Sequence, residues 1–414
     1  MTIVMENMNI QPKFNIGCMG SVGDGKSTII KMFTDKETQQ DSREKKRNIT
    51  INQGFGNMKI WEDTITGEYT STDSTPDEMV NNKLINHISF VDCPGHQQLI
   101  KTMLGALELM HGAIIVVAVD QSLTMKPQLA QHLAAAKLGS INKIIICMNK
   151  IDLVTKDELM KRKEELDKML KLYDIKPYKI IPTCFNKKIG YNHIISSIME
   201  LFNPNELYNT NKPPIFNISR TFDINKPGTD WTDVTGGVIG GTLKSGKFKI
   251  GDMLEIHPGF ITINKTAKTH KDKFICMPIS ITVNSIMTDT TQLTEATAGG
   301  LIGIGTDLDP FYCKKNALVG HIAGFPGQVP NIYSEIVLKT TIIDTFGFKW
   351  EPKIKDIVTL KIGTLTCEAR LVEIENKLNF KFELNNPVCI DTNENIIVCR
   401  EIDKILRVVA QGTL

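Results

Sequence analysis

Between Gly20 and Ser27 the chain reads Gly-Ser-Val-Gly-Asp-Gly-Lys-Ser, a G-x-x-x-x-G-K-[ST] pattern whose residue types suit the capture of phosphate. Glycines at 20, 23 and 25 allow a tight turn, so the N–H groups of Gly23, Asp24, Gly25, Lys26, Ser27 and Thr28 can converge on one anion at a helix N-terminus. The Lys26 ammonium would reach the β- and γ-phosphates of a nucleotide, and the Ser27 hydroxyl would serve a magnesium ion.

Three further features accompany this loop. Asp92-x-x-Gly95 supplies a carboxylate for the metal, acting through water, and a backbone N–H for a γ-phosphate. Asn149-Lys150-x-Asp152 reads a base: one carboxylate can accept both guanine N1–H and N2–H₂, which adenine does not offer. Thr50 would complete the magnesium shell in the triphosphate state. Alone, an Asp-x-x-Gly is commonly a turn and an N-K-x-D a helix entry; together, each at a strand end, they specify a guanine nucleotide. His96 calls for its own weighing, because a His beside a Gly is commonly structural. Directly after Asp-Cys-Pro-Gly, it is placed to orient a water for attack on the γ-phosphate.

The elements that must hold these groups are legible in the periodicity. Phe14 to Met19, Ile88 to Val91, Ala113 to Val119, Lys143 to Met148 and Ile180 to Pro182 read as buried strands. Helical patterns lie between them, over Ile29–Phe33, Leu99–Leu107, Pro127–Leu138, Thr155–Tyr173 with a Thr155/Glu158 capping box, and Tyr191–Phe202. Alternating strands and helices predict a mostly parallel sheet with helices on both faces, its ligand beyond the carboxyl ends of the strands. The hydrophilic stretch Glu62–Asn86 reads as a surface insertion.

From Lys212-Pro-Pro214 the grammar changes to short β-type runs separated by Gly, Asp and Asn, with a second break at Phe325–Pro330. The expected organisation is a nucleotide-binding α/β domain over 1–210, a β-barrel over 211–327 and a second β-barrel over 328–414.

Bulk composition adds little. Lys and Arg total 48 against 46 Asp and Glu, which neither demands nor excludes nucleic acid. The nine cysteines are scattered without a C-x-x-C pair, as expected of reduced, buried thiols in a cytoplasmic protein. No signal peptide, membrane partner or zinc is expected.

A nucleotide domain followed by two barrels is the plan of translation factors that carry aminoacyl-tRNA. More narrowly, the chain resembles the gamma subunits of eukaryotic and archaeal translation initiation factor 2. The segments that carry the resemblance are RNITINQGFGNMKI (47–60), DCPGHQQLIKTMLGALELMHGA (92–113), NKIDLV (149–154), ISRTFDINKPG (218–228), TGGVIGGTL (235–243), GGLIGIGTDLDP (299–310) and NPVC (386–389). The resemblance implies a P-loop GTPase that binds GTP and GDP and delivers initiator methionyl-tRNA to the small ribosomal subunit. It further implies alpha and beta partner subunits, a GTPase-activating protein and an exchange factor. The family's Ser-Ala guanine-contacting segment corresponds to Cys184-Phe185 here, where Phe185 keeps the backbone N–H but adds bulk. Two histidines usual in the family's phosphate loop are replaced by Ser21 and Asp24, and Gly23 stands where some archaeal members carry a metal-contacting Asp. An inward-pointing Asp24 would weaken GTP binding. Asp24, Gly23 and Phe185 motivate one alternative, a guanine-nucleotide scaffold with little or no hydrolysis; a second is an elongation-type aminoacyl-tRNA carrier, a class that shares only the nucleotide motifs.

Overall fold

A computed structural model describes residues 11–34, 54–72, 81–96, 99–203, 210–289, 291–345, 348–376, 378–391, 394–402 and 405–414. It divides into two compact units, Pro12–Glu206 and one spanning Leu207–Leu414 that also takes in Gln11. Gln11 joins the second unit through its amide, which donates to Thr297 O at 2.7 Å and accepts Thr297 N–H at 2.9 Å.

The first unit is built on seven strands: β1 Phe14–Met19, β2 Gly54–Asp63, β3 Tyr69–Thr72, β4 Asn82–Asp92, β5 Gly112–Ala118, β6 Ile144–Asn149 and β7 Lys179–Pro182. Their order across the sheet is β3-β2-β4-β1-β5-β6-β7. Strands β4, β1, β5, β6 and β7 are mutually parallel. In β1, β5 and β6 every residue is buried, which is why they read as largely apolar runs rather than alternating ones, with Asn15 of β1 satisfied by donating to Leu109 O at 2.7 Å.

Among the described residues the helices of this unit are α1 Lys26–Thr34, α2 Ile100–Leu107, α3 Pro127–Leu138 and α4 Lys156–Leu172, with α5 Tyr191–Leu201 following β7. The β1-to-β4 crossover moves one way along the sheet, while β4-to-β5, β5-to-β6 and β6-to-β7 move the other. Right-handed connection therefore puts α1 on one face and α2, α3 and α4 on the opposite face. Phe33 of α1 packs on Tyr191 of α5 with ring centroids 5.2 Å apart, joining α5 to the α1 side. The capping box that opens α4 is formed as the sequence predicts.

The structure corrects the reading of Glu62–Asn86 as a surface insertion. Strands β2 and β3 extend the sheet in antiparallel fashion, β2 pairing β4 from Gly54↔Asp92 to Asp63↔Asn82, so the sheet is mixed. Asp63 closes the β2–β3 tip, its carboxylate accepting the N–H groups of Ile65 and Thr66 at 2.7 and 3.0 Å. Tyr191 Oη lies 2.6 Å from Ser71 Oγ and accepts Ser71 N–H at 3.1 Å, tying this edge to α5.

The second unit holds two six-stranded barrels. In the first, Met253–Ile263, Ile322–Gly324, Ile215–Phe222, Val238–Ser245, Leu301–Thr306 and Phe274–Thr288 pair in that order, and the last returns to the first. The closing strand Ile322–Gly324 has only three residues and escapes the sequence reading. The second barrel closes through Ile332–Ile342, Asn379–Cys389, Leu365–Glu375, Ile357–Ile362, Ile396–Ile402 and Ile405–Thr413. Each has its own core, Phe216, Phe248 and Leu254 in the first and Trp350, Phe380 and Phe382 in the second. At about 1.5–3 kcal/mol per large buried apolar side chain, each core is large enough to hold a barrel closed. Hydrogen bonds from His270 Nε2 to Leu384 O (2.9 Å) and from Thr364 Oγ1 to Ile218 O (2.9 Å) join the barrels. All nine cysteines are described, and eight are buried.

Candidate functional site

The site lies where β1, β4, β6 and β7 end. β1 runs out at Met19, and the chain turns through Gly20–Gly25 into α1. Gly25 has φ +111°, and a Cβ there would stand 2.5 Å from Asn149 Nδ2, so only glycine lets the loop pass this close to the end of β6. Lys26, the first residue of α1, is buried and folds back across the loop to donate to Ser21 O at 2.8 Å. Burial pushes its ammonium below the usual lysine range, opposed by the Asp92 and Asp24 carboxylates. The N-terminal end of α1 therefore presents backbone N–H groups, a helix dipole and an ammonium to one point, a ready site for anionic oxygen. Ser27 is half-buried there, and Thr28 and Gly23 are exposed.

β4 delivers Asp92, fully buried, whose Oδ2 accepts the Ser27 hydroxyl at 2.8 Å. A hydroxyl and a carboxylate so paired are the hard oxygen donors that a magnesium ion takes. Gly95 is packed against the loop: a Cβ there would fall 2.5 Å from Lys26 Nζ and 2.8 Å from Val22 N. His96 follows it on the surface. Thr50 lies outside the described residues.

β6 and β7 deliver the groups that the sequence reading expects at the base. Asn149 ends β6 and is buried, its side chain donating to Asp24 O at 2.9 Å and accepting Phe185 N–H at 3.2 Å. Asp152 accepts from the Cys184 thiol, and Lys187 Nζ approaches its carboxylate at 3.2 Å. These contacts, the thiol first, hold the Asp152 carboxyl below the usual carboxylate range, so it stays an acceptor. Lys150 pairs with Asp120 at 2.8 Å. Phe185 is buried, and its ring lies along Gly25, where a Cβ would stand 3.2 Å from Cδ2.

Asp24 points inward, and its side chain is 2% exposed. Its Oδ2 accepts Ser21 N–H at 2.8 Å, while its Oδ1 meets Lys126 Nζ at 2.8 Å. The inward carboxylate is thus matched by a largely buried cation that the sequence reading misses. A signal for it exists: Lys126 immediately precedes Pro127 at the start of α3, where the helix dipole disfavours a cation. Sequence reasoning also misses Asp120, Lys187 and His132. His132, on α3, is buried beneath the loop and hydrogen-bonds the Gly20 backbone.

Comparison with known proteins sets these residues in a family. Residues 11–204 match the elongation factor Tu GTP-binding domain, and residues 344–414 match the C-terminal domain of initiation factor eIF2 gamma. The chain is 32% identical over 427 residues to eukaryotic translation initiation factor 2 subunit gamma of Encephalitozoon cuniculi, covering 100% of this chain and 95% of that protein. It is 33% identical over 410 residues to translation initiation factor 2 subunit gamma of Methanocaldococcus jannaschii, covering 98% of each. Among solved structures, bacterial selenocysteine-specific elongation factor EF-Sec superposes with a TM-score of 0.73 at 19% identity, covering 97% of this chain and 58% of that one. Elongation factor SelB of Methanococcus maripaludis, in complex with the GTP analogue GPPNHP, gives 0.72 at 22% identity, covering 97% of this chain and 78% of that one. These two likenesses concern the fold alone.

Proposed function

The chain belongs to the gamma-subunit family of translation initiation factor 2, and from that premise we propose that it carries initiator methionyl-tRNA to the small ribosomal subunit under control of its bound nucleotide. It is a GTP-dependent initiation factor subunit and a translational GTPase. One observation supports the site assignment: the ends of β4 and β6 both bond the loop that follows β1, through Ser27 to Asp92 and Asn149 to Asp24.

In this reading the N–H groups of Gly23 to Thr28 and the Lys26 ammonium cradle the β- and γ-phosphates. Asp152 accepts the guanine N1–H and N2–H₂, with Cys184 and Phe185 at the base edge and Lys150 beside it. Lys187 is largely exposed and is free to withdraw from Asp152 as the base arrives. Ser27, Asp92 through water, and Thr50 would hold magnesium, which when bound offsets phosphate charge. Gly95 offers its N–H to the γ-phosphate, and His96 orients the attacking water. Among the described residues no arginine finger is evident, and in this reading an activating protein raises hydrolysis by about 10³–10⁵-fold.

Partners in this reading are the alpha and beta subunits, the activating protein and an exchange factor, in the cytoplasm. Among the described residues no helix is long and apolar enough to cross a membrane. The inward Asp24 is the feature that favours a non-hydrolysing scaffold, and its pairing with Lys126 weakens that case. Retention of charged initiator tRNA by the chain with GTP, against GDP and against an elongator tRNA, tests the assignment. Equal retention in all arms refutes it. Single-turnover hydrolysis with ribosomes and activator separates switch from scaffold, and a rate no faster than in water supports the scaffold.

A further inference from the structure

Two charges in this chain are locally unfavourable. Asp24 places a carboxylate in a loop built to receive phosphate, and Lys126 places an ammonium at the positive end of α3. The fold brings them together across 102 residues of sequence at 2.8 Å, with side chains 2% and 11% exposed. A second bond from Lys126 Nζ, to Ala118 O at 2.7 Å, anchors the ammonium to the end of β5. The turn that carries Lys126 is itself braced. Glu165 of α4 accepts Leu123 N–H at 2.8 Å and the Ser122 hydroxyl at 3.0 Å, and Lys126 N–H donates to Leu123 O at 3.0 Å.

We infer that Lys126 is a positioning residue for nucleotide binding: it neutralises Asp24 and holds that carboxylate as the cap of Ser21 N–H, which keeps the acidic loop open to phosphate. The inference rests on the loop at 20–28 being the phosphate site. With its lysine in place, the Asp24 carboxylate is a structural strut. Oδ2 fixes the start of the loop, Oδ1 is held by the cation, and the backbone carbonyl is held by Asn149. Without the lysine, the same carboxylate is a buried negative charge beside a polyanion with no ion pair in contact, only the Lys26 ammonium that it would share with Asp92 and the phosphates, the arrangement in which breaking a pair does most damage. The dependence on Lys126 is therefore conditional on Asp24, which a purely structural lysine would not show.

The test uses the full chain, with dissociation constants for fluorescent GDP and GTP analogues at fixed magnesium and thermal melting alongside. Lys126→Gln weakens both nucleotides by about tenfold or more. Asp24→Asn combined with Lys126→Gln, a neutral pair of nearly the same shape, recovers most of that loss, and Lys126→Arg keeps wild-type affinity. Unchanged affinity in Lys126→Gln overturns the inference. So does a neutral pair no better than the single variant, including the case where Lys126→Gln fails to fold and the neutral pair does not restore folding and binding. A wild-type chain that binds neither nucleotide refutes instead the phosphate-site reading beneath it.

Discussion

Asn149 donates its side-chain amide to the backbone carbonyl of Asp24 at 2.9 Å, joining the base-reading strand end to the middle of the phosphate loop. Both groups are buried, and the other end of the same amide accepts Phe185 N–H. Asn149 is therefore a clamp between three segments. Asn149→Ala leaves a buried carbonyl and a buried N–H unsatisfied, at about 1–3 kcal/mol each. Affinity should fall by roughly tenfold or more, and equally for GDP and GTP, because the clamp does not sense a third phosphate. Equilibrium binding of the two nucleotides checks this, and a loss confined to GTP contradicts it.

Asp152 tests base selection. Its carboxylate is held ionised by the Cys184 thiol and Lys187, and in the proposed reading it accepts two guanine N–H groups. Asp152→Asn exchanges one acceptor for a donor, so guanine nucleotides should lose on the order of 100-fold in affinity while xanthine nucleotides gain. Competition between GDP and xanthosine diphosphate for the variant measures the switch. Retained guanine preference would remove Asp152 from the base site.

Legibility in the sequence follows the range of the interactions. The loop at 20–27, Asp92 and Asn149–Asp152 can be read because each is a short contiguous pattern at the end of an apolar run. Strands β1, β5 and β6 can be read because burial on both faces leaves them almost wholly apolar, Asn15 of β1 being the one polar residue inside them. Edge strands lack that signal: Tyr-Thr-Ser-Thr, residues 69–72, is polar and partly exposed, and its pairing with β2 is invisible without the partner. Ile322–Gly324 closes a barrel with three residues, too few for any period. Lys126 pairs with a residue 102 positions away, so only its awkward place at a helix start hints at a partner. Sequence alone cannot say which way Asp24 points, because that depends on the same distant lysine.

His96 lies on the surface just beyond the end of β4, next to the glycine that packs on Lys26. Its part in the proposed reaction is confined to the attacking water. His96→Ala should leave GTP affinity within about threefold and lower activated single-turnover hydrolysis by about 100-fold or more. Binding and hydrolysis measured on the same preparation separate the roles, and parallel loss of both would make His96 structural.

His132 supplies a pH test of the nucleotide-free protein. Burial, aided by the nearby Lys26 charge and opposed by a hydrogen bond to the Gly20 backbone, pushes its pKa down to about 3 from an ordinary 6.5. Between those values the unfolded chain binds a proton that the folded chain refuses, so stability rises with pH across that interval. The contribution is complete above pH 6.5 and is lost progressively as the pH falls toward 3. His132→Gln removes this linkage, and unfolding should then take up about one proton fewer at pH 5. Whatever stability the variant loses at pH 7.5 by disturbed packing, its deficit against wild type should narrow as the pH falls toward about 4.5. Thermal melts of both proteins over a pH series read the effect directly, and parallel curves would mean that His132 already carries its proton in the fold.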